Sequence, residues 1–150
     1  MFIEGQFELK APIDKVWAAI LEPETLAGCM PGAEKVEKID EKTYDAIVKQ
    51  KVGPIKVKLK IKNVLTKLEP PNHMELEGEG ADVTKLGHFK QSTVIDLKET
   101  GDGTVEVSYK ANVNIVGKLA MFGDRIMKSK AKEVEKEFTT NLREKLKAIE

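Results

Sequence analysis

The stretch Asp124–Ile149, DRIMKSKAKEVEKEFTTNLREKLKAI, decides how the rest of the chain must fold. Met127, Ala131, Val134, Phe138, Leu142, Leu146 and Ile149 recur at steps of three and four residues, the period of one helix face. Lys128, Lys132, Glu133, Lys136, Glu137 and Glu144 take the other faces and can stay in water. At about 1.5 Å per residue such a helix is roughly 39 Å long. Amphipathic helices owe most of their stability to packing, so this one needs an apolar partner of comparable length. Asp124 is expected as its N-cap, after a bend at Gly123.

Upstream, the partner reads as an antiparallel sheet. Val105, Val107, Tyr109, Ala111, Val113 and Ile115 alternate with polar residues in the longest strand. Phe89, Gln91, Thr93, Ile95 and Leu97 do so in the strand before it, with Gly101-Asp102-Gly103 closing the hairpin. At about 3.3 Å per residue each of these two strands is roughly 40 Å long, a match for the helix. Met74, Leu76, Gly78 and Gly80 alternate with glutamates, and Ile55, Val57, Leu59 and Ile61 with Lys56, Lys58, Lys60 and Lys62. Tyr44, Ala46, Val48, Gln50 and Val52 share one face, and Val36–Ile39 is a shorter strand. Asp40-Glu41-Lys42, Gly53-Pro54 and Pro70-Pro71-Asn72 supply the turns, and Gly80–Gly87 is expected as a mobile loop.

Ile3, Gly5, Phe7 and Leu9 open the chain as a half-buried strand. A short helix after Pro12 buries Val16, Trp17, Ile20 and Leu21, and a second runs from Pro23 to Cys29 into the Gly28–Gly32 turn. The order predicts an α+β fold: a curved antiparallel sheet of about seven strands wrapped around a long C-terminal helix, with two short helices after the first strand. Residues 1–150 are expected to form one domain, the length suiting a single core.

The 25 basic and 25 acidic side chains cancel to a formal net charge of zero, which argues against nucleic acid as a partner. Cys29 is alone, so neither an intramolecular disulfide nor a cysteine metal cluster can form. No signal-peptide pattern and no apolar run of transmembrane length are found, so the expected location is cytoplasmic, with membrane contact at most peripheral at the inner face. The row Lys56, Lys58, Lys60, Lys62 reads as a solvated face whose charges pair with the row Glu75, Glu77, Glu79 on the next strand.

The residues offer little for catalysis. His73 falls in a turn and His88 on an outward strand face, and neither has a second ligand at metal spacing. No phosphate-binding glycine loop follows a strand, and nothing beside Cys29 would activate its thiol. The charges fall mostly on outward phases, so no paired carboxylates are expected inside, and no catalytic residue, metal or cofactor is assigned. The inward face is apolar, with Tyr44, Gln50, Gln91, Thr93 and Tyr109 as neutral polar groups. That pattern fits a cavity for a small amphipathic ligand, and equally a packed core whose polar groups satisfy one another.

Five motifs add a resemblance. Ala11-Pro12 followed by Val16-Trp17, Gly28-Cys29-Met30-Pro31-Gly32, and Lys51-Val52-Gly53-Pro54-Ile55 resemble CoxG, a carbon monoxide dehydrogenase subunit family of the START-like, SRPBCC helix-grip superfamily. So do Gly78 with Gly80, and Gly117-Lys118-Leu119-Ala120 followed by Gly123. The resemblance implies a non-catalytic accessory of a molybdenum-containing carbon monoxide dehydrogenase, with a cavity for a quinone or lipid. Alternatives are a docking or assembly factor without a functional cavity, and a polyketide-cyclase-like enzyme. Membrane-associated members often continue into an apolar tail, whereas this sequence stops at the grip helix, so it is not expected to bind vesicles by itself. The expected lining is Met30, Val48, Gln50, Leu59, Met74, Phe89, Gln91, Thr93, Tyr109, Leu119, Met121, Phe122 and Met127. Leu119, Met121 and Phe122 are expected to gate its mouth.

Overall fold

A computed structural model describes the backbone of residues 1–149 and the side chains of residues 1–147. The chain runs β1 (Phe2–Lys10), α1 (Ile13–Leu21), α2 (Pro23–Cys29), β2 (Ala33–Lys38), β3 (Thr43–Val52), β4 (Ile55–Glu69), β5 (His73–Asp82), β6 (His88–Gly101) and β7 (Thr104–Val116). A 3₁₀ turn (Lys118–Phe122) then leads into α3 (Gly123–Ile149). The strands form one antiparallel sheet in the order β1-β7-β6-β5-β4-β3-β2. The architecture is the expected α+β sheet-and-long-helix arrangement. Register shifts at Ala33/Lys35, Leu65/Lys67 and Glu99/Gly101 bend the strands, because a bulge increases local twist. The long strands thereby curl into a trough, and α3 lies along its mouth.

The trough is packed at one end. Val16 and Trp17 of α1, Cys29 of α2 and Leu142 and Leu146 of α3 bury against Leu9, Tyr44, Leu65, Met74, Leu97, Val105 and Val107. The Tyr44 hydroxyl donates to the Leu21 carbonyl at 2.5 Å, and the Asn141 amide donates to Cys29 O at 3.0 Å, fastening α1 and α3 to this core. The Phe7 and Phe138 rings meet edge to face at 6.5 Å between centroids. Toward its N-terminus the same stripe changes character: Met127, Ala131 and Val134 are only half-buried. Ile149, assigned to the stripe on spacing, lies outside the residues whose side chains are described.

Several expectations are corrected. β5 continues through Gly80 to Asp82, because that segment pairs with Leu59–Ile61 of β4; only residues 83–87 loop. α3 starts at Gly123, so Asp124 sits within its first turn rather than capping it. His73 is the first residue of β5, not a turn residue. The lysine and glutamate rows do not lie side by side. The register sets Lys62 opposite Glu79, but Lys60 faces Ala81, Glu77 faces Val64, and Glu75 faces Lys67. The lysines occupy the first half of the 15-residue β4 while the β5 glutamates face mostly its second half, and alternation within each strand cannot reveal that offset.

Candidate functional site

α3 makes its close approaches to the sheet at β1 and β3, near the trough's two rims, and at its N-terminal end it meets the 3₁₀ turn. Between those rims the inward face is unevenly covered: Leu59, Ile61, Asn63, Phe89, Gln91 and Thr93 are half-buried, whereas Val48, Val52, Val57, Ala111 and Val113 around them are buried. The half-buried residues of this floor leave a cleft under the first half of α3 that is partly open to solvent.

Its floor is kept low by glycines. Gly5 pairs with Tyr109, Gly78 with Gln91 and Gly80 with Phe89. Each large side chain lies across its glycine: a Cβ on Gly5 would stand 2.7 Å from the Tyr109 hydroxyl, on Gly78 2.9 Å from the Gln91 amide nitrogen, and on Gly80 2.5 Å from the Phe89 ring. A side chain at any of the three would push its neighbour up into the cleft. Gln91 also donates to Asn63 Oδ1 at 3.5 Å, a long bond that leaves much of both amides' hydrogen-bonding capacity available on the floor.

The open end is bridged by the 3₁₀ turn. Gly117 and Gly123 flank it at φ +92° and +79°, a conformation that favours glycine. Leu119 is buried, and its N–H donates to Leu86 O of the β5–β6 loop at 3.1 Å. On the other side Phe122 reaches the β3–β4 turn, its ring 3.5 Å from where a Cβ on Gly53 would stand. The β5–β6 loop is braced by buried Asp82, whose carboxylate accepts the N–H groups of Lys58 and Thr84 at 2.9 Å and Leu86 at 3.2 Å, and the Thr84 hydroxyl. The Thr84 bond, followed by the backbone bonds, holds the Asp82 carboxyl below its ordinary pKa against the opposing effect of burial. A pocket of about 200 Å³ opens beside this end, between Met127 with the first turn of α3 and Val113 and Ile115 of β7.

The expected lining residues separate into groups. Val48, Gln50, Leu59, Phe89, Gln91, Thr93 and Tyr109 stand on the inward face, as their phase requires. Gln50 is already engaged, donating to Pro31 O at 2.6 Å. Leu119, Phe122 and Met127 gather at the open end, and Met30 is half-buried where α2 passes into β2. Two assignments fail on geometry. Met74 is 2% exposed within the packed core, in one buried cluster with Val16, Trp17 and Leu142 rather than at the open end. Met121 is 84% exposed, because the tight 3₁₀ turn that buries Leu119 aims it into solvent.

Two inward groups escaped the sequence reading. Asn63 continues the β4 inward phase one step beyond Ile61. Glu135 lies between stripe residues Ala131 and Phe138 and bonds the Tyr109 hydroxyl over Gly5; burial first, and this bond second, push the Tyr109 acidity far up. A helical neighbour of an apolar stripe was the only signal for Glu135, and it is equally the signal of a surface residue.

A larger concavity, about 540 Å³, is elsewhere: a shallow groove on the outer face across β2–β6. Its walls are mainly charged, including Lys35, Glu37, Asp45, Lys60, Lys62 and Lys90, with Ile47 and Ala81 between them. Despite its size it is unsuited to an apolar ligand, and the inner cleft is the better candidate. Among the described residues no cluster of His, Cys, Asp and Glu has metal-site geometry, and no helix is long and apolar enough to cross a membrane.

A family model for CoxG, described as a carbon monoxide dehydrogenase subunit, matches residues 5–147. No curated protein matches the sequence. Among solved structures, a conserved protein from Geobacillus kaustophilus superposes with a TM-score of 0.91 at 26% identity, over 99% of this chain and 96% of that one. A START superfamily protein from Mycobacterium smegmatis gives 0.75 at 10% identity, over 99% of both chains. The Zhui aromatase/cyclase from Streptomyces sp. R1128 gives 0.71 at 11% identity, over 98% of this chain and 93% of that one. At such identities the last two speak to fold alone, and the fold is the START-like helix grip.

Proposed function

The chain belongs to the CoxG family of carbon monoxide dehydrogenase subunits, and from that premise we propose that it is a non-catalytic carrier holding a hydrophobic ligand, a quinone or lipid, under the first half of α3. In this reading it serves a molybdenum-containing carbon monoxide dehydrogenase and works from the cytoplasmic side. The observation that carries the proposal is the contrast along α3: Leu142 and Leu146 lie in packed core, whereas Met127, Ala131 and Val134, and the apolar floor residues Leu59, Ile61 and Phe89, are only half-buried. Apolar surface left open inside a fold costs stability unless something covers it. Leu59, Ile61 and Phe89 would hold the apolar body, and the Asn63–Gln91 amides can meet a carbonyl or hydroxyl on the ligand.

The enzyme reading is weaker. Glu135 is the inward carboxylate near the cleft, and the Tyr109 hydroxyl already occupies it. Native mass spectrometry of the purified protein, before and after organic extraction and then with added quinone analogue, tests the carrier reading. An apolar adduct that extraction removes and the analogue restores is expected. If the protein carries no adduct and takes up no analogue, while still binding a dehydrogenase, a docking factor without a functional cleft is the correct reading.

A further inference from the structure

The outer face of the sheet carries a charge arrangement that neither the fold nor the cleft uses. β3 and β4 pair in a register that sets Lys49 opposite Lys58 and Lys51 opposite Lys56, and Lys60 and Lys62 continue the row along β4. Like charges directly opposite each other on neighbouring strands destabilise a sheet. Compensation is slight. Glu34 lies 3.5 Å from both Lys49 and Lys58, while Lys51, Lys56, Lys60 and Lys62 make no ion pair within 4 Å among the described residues. A chain of zero net charge has thus gathered cations where its own stability is harmed. An arrangement that opposes folding points to use by something outside the fold.

The surroundings indicate what kind of partner fits. The row runs into the outer groove of about 540 Å³, where Glu37, Asp45 and Glu79 stand among the lysines and Ile47 and Ala81 add apolar surface. A bilayer or a nucleic acid presents negative charge uniformly and would meet those three carboxylates as well as the lysines. A protein can set its own carboxylates against the lysines, leave the acidic positions to neutral groups or cations, and enter a concave groove. Across β2–β6 the groove is roughly 19 Å long at about 4.8 Å per strand, the length of about six residues of extended chain. We propose that the outer face of β3–β4 and its adjoining groove form a docking surface for a protein partner that presents an extended acidic segment. This surface lies on the opposite side of the sheet from the cleft and does not depend on the carrier reading.

The test uses a fluorescein-labelled peptide alternating Glu with Ser, followed by anisotropy at low and physiological salt, together with thermal melts of the same proteins. Lys51→Glu should weaken peptide binding about tenfold and raise the melting midpoint, since it turns the like-charged pair with Lys56 into an opposite one. Lys60→Glu faces Ile47 and Ala81 instead. It should weaken binding to a similar degree without raising the midpoint. Cleft loading by quinone analogue should be unchanged in both, so a failure here is separable from a failure of the carrier reading. Wild-type peptide affinity in both variants would overturn the proposal. So would phosphatidylserine vesicles or single-stranded DNA displacing the peptide as effectively, at equal charge, as unlabelled peptide does.

Discussion

At the scale of single residues, polar side chains make bonds that the alternation of strands leaves unspecified. His73 is the clearest case. Its Nδ1 lies 2.5 Å from Asp96 Oδ1 and its Nε2 2.8 Å from Glu75 Oε2. Both ring nitrogens can donate to these carboxylates only in the imidazolium form, and the bonds to Glu75 first and Asp96 second raise its pKa above the ordinary histidine value. Because the folded value exceeds the unfolded one, the stabilisation is complete below the ordinary histidine pKa and disappears as pH rises through the folded value. Denaturant midpoints measured across neutral pH should therefore fall for the wild type above about pH 6.5, whereas His73→Gln should show a flatter profile there. Parallel profiles would mean that the cluster is not formed in solution. Sequence showed His73 only as a residue without a metal partner. Its real partners come from β6, 23 positions away, and from its own strand.

At the scale of elements, strand phases were legible and strand registers were not. Alternation placed Leu59, Phe89, Gln91 and Tyr109 on the inner face, because a period of two leaves only two choices per strand. It could not show that Gly5, Gly78 and Gly80 each face a bulky neighbour, nor that Lys51 faces Lys56, because register depends on turns and bulges. For α3 the stripe was legible throughout, but its division was not: apolar spacing looks the same over packed core and over a cleft. Two substitutions test that division. Leu142 is 0% exposed within the packed core, so Leu142→Ala should cost about 2–5 kcal/mol. Val134→Asp, two turns earlier, should cost only about 1–2 kcal/mol, since its carboxylate can reach water in the cleft. Equal losses of stability in urea melts would show that α3 packs on the sheet along its whole length.

At the scale of the whole molecule, the fold has a fixed end and an adjustable one. α1, α2 and the second half of α3 lock one end of the trough around Trp17, Leu65 and Leu142. The other end is closed by short connections: the β3–β4 turn at Gly53, the β5–β6 loop braced on Asp82, and the 3₁₀ turn between Gly117 and Gly123. Elements held by few apolar contacts open at lower free energy than the core, so ligand passage belongs at this end. Of the three residues expected to form the gate, Met121 faces solvent and Leu119 is fastened under the β5–β6 loop. Phe122 remains, half-buried and resting against a glycine turn. Phe138 offers the comparison, since it stacks edge to face on Phe7 at the margin of the packed core. Phe122→Ala should change quinone-analogue affinity by about 1–2 kcal/mol, roughly five- to thirtyfold, with a smaller loss of stability than Phe138→Ala, for which about 3–5 kcal/mol is expected. Calorimetric titration of both variants, alongside their denaturant melts, separates the two roles. Should Phe122→Ala destabilise the fold as much as Phe138→Ala and leave affinity untouched, Phe122 is a core residue and the ligand enters elsewhere, with the pocket between Met127 and β7 as the next candidate.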